Sequence, residues 1–182
     1  MPEPRTLGAL LARAANFPDT GLRLLDRFER ERWLPWPEIH ERARAAAGRI
    51  RGAGVATGER VALVYPTGVG FFDAFFGSLL AGAVPVPLYP PVRLGRLAEY
   101  SARTAAMLEA VGARLVLADP GVRRLLGEAV ERARPALGCR SLDELGDGAF
   151  VEAAVDERAL ALIQFSSGTT VEPKPVALSE RA

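Results

Sequence analysis

Two spacings of apolar residues alternate along this chain. Positions three and four apart mark helices, and short unbroken apolar runs mark strands covered on both faces. Leu7 to Ala15 reads as a short helix stopped before Pro18, and "GLRLLD" and "RWLPW" read as two strands of a hairpin about a charged turn, with Leu22, Leu24 and Trp33 among their apolar positions. Pro37 suits the opening of the next helix, because its missing N–H would have no partner in a first turn anyway. Ile39, Ala43, Ala47 and Ile50 give that helix its apolar stripe, and "GAGVATG" stops it.

Beyond that stop the two periods take turns. "RVALVY" predicts a buried strand, Phe72, Phe75, Phe76 and Leu79 a helix, and "AVPVPLY" a second strand. A helix from Arg96 to Val111 turns Leu97, Tyr100, Thr104, Leu108 and Val111 inward; "ARLVLA" follows as a strand, and a further helix runs from about Pro120 to Ala133. This alternation predicts an α/β fold, a mostly parallel sheet flanked by helices. No fixed-period repeat underlies it. From Pro135 to Asp156 the pattern weakens, and "SLDELGDG" reads as connection or short irregular structure. "RALALIQF" is again a strand, and "PVALS" reads as its partner across a polar loop. A strand, a loop and a strand with no closing helix read as the interior of a larger fold.

Composition narrows the function. With 182 residues and 49% hydrophobic content the chain can bury a core, and a net charge of +1 gives no general pull toward nucleic acid or an anionic membrane. Cys139 is the only cysteine, which excludes an internal disulfide and a cysteine-built metal site. The N-terminus lacks the long apolar core of a secretory signal, so a cytoplasmic location is expected. The most apolar stretch, Phe71 to Leu88, is broken by Asp73, Gly77, Ser78, Gly82, Pro85 and Pro87. A membrane span needs about 20 consecutive, mostly apolar residues, so a buried helix and strand are expected there instead.

Three further features read as structural. His40, between Glu38 and Glu41 and with no second histidine, reads as a surface residue and not a zinc ligand. Gly68 and Gly70 stand between a strand and a helix as in a dinucleotide-binding turn, but the third glycine is missing, so they read as a tight turn. Phe71, Phe72, Phe75 and Phe76 could line an acyl tunnel; at helical spacing they read first as core.

"FSSGTTVEPK", Phe165 to Lys174, is different. Lys174 is the only lysine beside 22 arginines, and it closes a loop of serine, threonine and glycine. Lysine and arginine differ most where a compact, mobile charge must reach a phosphate. Gly168 lets a ligand approach the backbone closely, and Ser166, Ser167, Thr169 and Thr170 offer hydroxyl donors. Two readings stand on composition: a loop that grips polyphosphate, or a solvated turn. The standard nucleotide P-loop is excluded, because Pro173 and Pro175 hold the positions flanking the lysine.

"LIQFSSGTTVEPKPVALS" resembles the phosphate-loop signature of the adenylate-forming enzymes, which include acyl-CoA synthetases, peptide-synthetase adenylation domains and luciferases. Ser166 through Thr170, Pro173 and Lys174 match that pattern; Val171 and Pro175 stand where glycine is usual, and Glu180 where histidine often follows. "GERVALVYPTGVGFFDAFFGSLLAGAVPVPLYPP" and "RTAAMLEAVGARLVLAD" are similar to the fatty acyl-AMP ligase branch, and the likeness runs from about Asp19 onward.

The resemblance implies that residues 1–182 are the incomplete N-terminal part of the large domain of an adenylate-forming enzyme, an AMP-dependent synthetase/ligase domain ending just after its phosphate loop. It implies ATP-dependent activation of a carboxylic acid, foremost a fatty acid, to an acyl-adenylate for transfer to a thiol, either on a carrier protein or on coenzyme A. Ser166, Ser167, Gly168, Thr169, Thr170 and Lys174 would then hold the ATP phosphates. Mg2+ is implied too, with ligands outside this chain. The alternative is a non-catalytic binding module that retains part of the fold.

Overall fold

The computed structural model describes residues 6–26, 28–91, 96–166 and 173–181. At its centre is a four-stranded parallel sheet in the order β4-β3-β5-β6, formed by β3 (Arg60–Val64), β4 (Val84–Leu88), β5 (Leu115–Ala118) and β6 (Cys139–Arg140). Every residue of β5 and four of five in β3 are buried, as expected of strands that read as unbroken apolar runs. Successive side chains serve opposite faces. Val61, Leu63, Leu115 and Leu117 pack under α2 (Trp36–Gly52) and α3 (Val69–Leu80), while Ala62, Val64, Val86 and Val116 pack under α4 (Leu97–Val111).

Before this layer, α1 (Leu7–Ala14) and the antiparallel hairpin of β1 (Gly21–Leu25) and β2 (Glu31–Pro35) cover a smaller core centred on Leu11, Leu34, Ile39 and Ala43. Pro37 lies in the first turn of α2, as its chemistry predicts. Left-handed Gly54 (φ 94°) and Gly58 (φ 80°) make the stop after α2. After the layer, β7 (Leu160–Ser166) and β8 (Lys174–Ser179) pair antiparallel, with β7 lying beside β4.

Three expectations change. The single helix over Pro120 to Ala133 is two: α5 (Pro120–Arg123) and α6 (Gly127–Ala133). Between them the amides of Leu125 and Leu126 bond three residues back, to Val122 and Arg123, tightening the chain so that Leu126 enters the core before Gly127, a poor helix residue.

The second change is in α3, whose deepest residues are Ala74, Gly77, Ser78 and Leu79, with the four phenylalanines only half-buried. The rings form one stacked and edge-on group, Phe71 on Phe75 at 5.7 Å and Phe72 on Phe76 at 6.2 Å, and Phe71, Phe75 and Phe76 pack against the core. Small residues go deepest because α3 crosses close to α2: a Cβ at Gly77 would sit 2.5 Å from the Cβ of Ala46.

Third, the weak segment after Pro135 contains the two-residue strand β6, while "SLDELGDG" is short irregular structure as read, with a 3-10 turn at Leu142–Glu144. Ser141 and Glu144 close that turn as a capping box.

Candidate functional site

The β7–β8 hairpin carries the residues singled out in the sequence. Ser166 and Lys174 are direct cross-strand partners at its open end, and both are exposed. Ser167, Gly168, Thr169 and Thr170, with Val171, lie outside the described residues. The two flanks that the structure does describe thus hold a hydroxyl and an ammonium opposite one another, and Lys174 makes no ion pair among the described residues. Pro175 follows on the outer strand, where a missing N–H is tolerated.

Glu180, at the far end of the same hairpin, has a structural task. Its Oε2 accepts from the Leu7 N–H at 2.7 Å, which leaves Thr6 Oγ1 to accept from Ala9 in the same first turn of α1. A carboxylate suits the positive end of a helix, so the residue that departs from the adenylate-forming pattern ties the end of β8 to α1.

A second group of polar residues gathers at the carboxyl ends of β3, β5 and β6. Arg42 of α2, Tyr65, Asp73 of α3, Asp119, Ser141 and Asp143 surround a cavity of about 260 Å3. Arg42 and Asp73 form a two-pronged pair, Nε to Oδ1 at 2.8 Å, and that pairing holds the guanidinium above its ordinary pKa. Asp119 caps α5 by accepting from the Gly121 N–H at 2.8 Å. Burial, and after it the Asp119 and Asp143 carboxylates, push the Tyr65 phenol up. The Leu142 N–H pulls the other way but falls short of hydrogen-bond geometry, and the hydroxyl is buried with no partner.

Sequence reasoning found the hairpin and missed this cavity. Its signal was available: Tyr65 and Asp119 each directly follow a strand of the parallel sheet, the edge at which α/β folds bind ligands. Gly68 begins α3 in an extended conformation (φ 172°). His40 is half-buried and not fully a surface residue; burial first and Arg44 second lower its pKa, against Glu152. Burial pushes the Cys139 thiol up to about 11, which makes it a poor nucleophile. Among the described residues no three His, Cys, Asp or Glu side chains are placed to hold a metal, and no helix is long and apolar enough to cross a membrane.

Known proteins share this architecture. FadD21 of Mycobacterium tuberculosis, a candidate fatty-acid–CoA ligase, is 29% identical over 153 residues, which is 81% of this chain and 25% of the relative. The long-chain-fatty-acid–AMP ligase FadD32 of Mycolicibacterium smegmatis is 29% identical over 152 residues, 80% of this chain and 23% of that protein. The chain therefore spans about a quarter of the length of these relatives.

Among solved structures, a fatty acyl-adenylate ligase from work on the E. coli and L. pneumophila enzymes superposes with a TM-score of 0.85 at 26% identity, over 97% of this chain and 32% of that one. McyG A-PCP with phenylalanyl-adenylate also gives 0.85, at 20% identity over 99% of this chain and 33% of that one, a likeness of fold. The AMP-binding enzyme family matches residues 11–182, nearly the whole sequence. The chain belongs to the AMP-binding enzyme family.

Proposed function

We propose that residues 1–182 form the N-terminal portion of an acid-activating ligase, ending just after its phosphate loop, and that the loop from Ser166 to Lys174 grips the phosphates of ATP. The observation that carries this reading is the register of the hairpin, which sets Ser166 against Lys174 at the two ends of a loop of hydroxyls and glycine. The Ser166, Ser167, Thr169 and Thr170 hydroxyls, with the amides around Gly168, donate to β- and γ-phosphate oxygens. Lys174 adds a point charge.

The acid is a fatty acid, a reading supported by the names of the relatives. One carboxylate oxygen bonds to the α-phosphorus, the bond from that phosphorus to the oxygen bridging toward the β-phosphate breaks, and pyrophosphate leaves with the electron pair. Loop donors fixed on the leaving group stabilise the charge that grows there. The acyl-adenylate then passes to a thiol of a carrier protein or of coenzyme A. Mg2+ would help neutralise the phosphates, and the described residues offer it no ligand cluster.

The sole lysine makes the test simple. Amine labelling of Lys174, followed by peptide mass spectrometry, should slow when ATP is added and should not slow with adenosine. Lys174→Ala should weaken ATP binding by about 10- to 150-fold, the worth of one charge-assisted contact. Unchanged labelling with saturating ATP would refute the phosphate assignment.

A second reading, a non-catalytic binding module, is favoured by Glu180, which stands where the adenylate-forming pattern often has histidine and is engaged with Leu7. Protection of Lys174 by ATP, with no pyrophosphate released on adding fatty acid to the protein extended over the length of its relatives, would select that reading.

A further inference from the structure

The register of a strand is fixed by burial of one face and by the turn that joins it to its partner. Neither singles out one register for β8. Ala161 and Ile163 of β7 are buried, and the β8 residues on that core side are Ala177, opposite Ile163, and Pro175, opposite Phe165. The larger Val176 and Leu178 face the other way, 44% and 37% exposed. A slip of one residue would carry both to the core side, so the apolar pattern runs against the register observed. The connection, residues 167–173, is seven residues long, well beyond the two-residue turns that dictate pairing.

We propose that Glu180 is the positioning residue that sets this register, and with it the place of Lys174 opposite Ser166. Glu180 clamps the end of β8 twice: its N–H donates to the Ala159 carbonyl at 3.0 Å, and its Oε2 accepts from the Leu7 N–H at 2.7 Å. The first bond sets the chain against the start of β7. The second ties it to α1, whose Leu11 is buried in the core beside α2.

A slip of one residue moves Glu180 by about 3.4 Å along the ladder, more than either bond can stretch, and turns Lys174 to the opposite face, away from Ser166. Glu180 itself stands six residues beyond Lys174, about 20 Å along an extended strand, so it acts on a bound phosphate only through β8. The inference rests on the phosphate reading for what the register does. The register itself is read without nucleotide.

The test therefore begins with NMR of the 182-residue protein alone. Cross-strand contacts in the wild type should pair Ile163 with Ala177 and Gln164 with Val176. Glu180→Ala should add a second set, Ile163 with Val176 or Leu178, while β3 and β5 keep their shifts; Glu180→Gln, which keeps an acceptor, should retain the single set. ATP affinity by isothermal titration should then fall about fivefold in Glu180→Ala, as when about a fifth of the molecules hold the binding register, and should return to within about twofold in Glu180→Gln. In a Lys174→Ala background Glu180→Ala should cause no further loss, because the group it positions is gone.

A single unchanged register in Glu180→Ala would overturn the assignment. Equal losses of affinity from Glu180→Ala with and without Lys174, or a Glu180→Gln no better than Glu180→Ala, would do the same. Should the second register appear while the wild type binds no ATP, Glu180 keeps its role and the phosphate reading alone falls.

Discussion

The central sheet and the β7–β8 hairpin are built from strands of similar length in opposite surroundings. β3 and β5 are covered on both faces, and every side chain they present from Val61 to Val64 and from Leu115 to Ala118 is buried. β8 pairs only with β7 among the described residues, and five of its six residues are exposed, Val176 and Leu178 included. Burial makes the first region costly to alter. Exposure leaves the backbone and side chains of the second available to a ligand, which is where binding loops are usually carried by a rigid scaffold.

The largest effect should come from breaking the buried side of this contrast. Leu117→Ala empties a site with no exposure and should lower stability by about 2–5 kcal/mol, read from the urea midpoint. Leu178→Ala on β8 should stay within about 0.5 kcal/mol. Equal losses at the two sites would erase the distinction between scaffold and hairpin.

Next in size is Lys174→Ala, which should reverse the ranking. Nucleotide affinity should fall by about 1.5–3 kcal/mol with stability unchanged within about 0.5 kcal/mol. Isothermal titration with ATP, beside thermal melts of both proteins, reads the two quantities separately. A loss of stability equal to the loss of affinity would make Lys174 a structural residue.

These two regions were also unequally legible in the sequence. The strands of the sheet announced themselves through unbroken apolar runs, and the loop through its hydroxyls and single lysine, because period and composition are local properties. What could not be read locally was set by distant partners. Gly77 looks like a helix defect until α2 is laid against it, and Leu126 looks like one more position of a helix until the core draws it in. The two residues of β6 are too few for a period, although the Ser141 and Glu144 spacing of the capping box beside them was readable. The Tyr65 cavity escaped for the same reason, since it is assembled from three strand ends, α2 and α3.

Gly77→Val tests that long-range determinant. The added methyls would meet Ala46 and force the helices apart, at a cost of about 1–3 kcal/mol. Pairing it with Ala46→Gly, which clears the nearest atom, should return part of the loss. If the double variant is no more stable than Gly77→Val alone, the contact is not what limits the residue size at position 77.

The smallest expected effect concerns how the end of the hairpin is anchored. Glu180 reaches back 173 positions to the Leu7 N–H, so the last turn after β8 is anchored to a helix that belongs to the first part of the chain. Glu180→Ala removes both the acceptor and the charge at a helix N-terminus and should cost about 1 kcal/mol, in the range of a lost cap. Glu180→Gln keeps an acceptor and removes only the charge, so its loss should be a few tenths of a kcal/mol and should shrink with added salt. The sharper measurement is local: hydrogen exchange at the Leu7 amide should quicken in Glu180→Ala while the amides of β3 and β5 keep their rates, because opening the anchor frees the hairpin end without loosening the sheet. Quickening in the sheet as well would mean that hairpin and scaffold open as one unit, and the division between a rigid layer and a separately anchored hairpin would have to be given up.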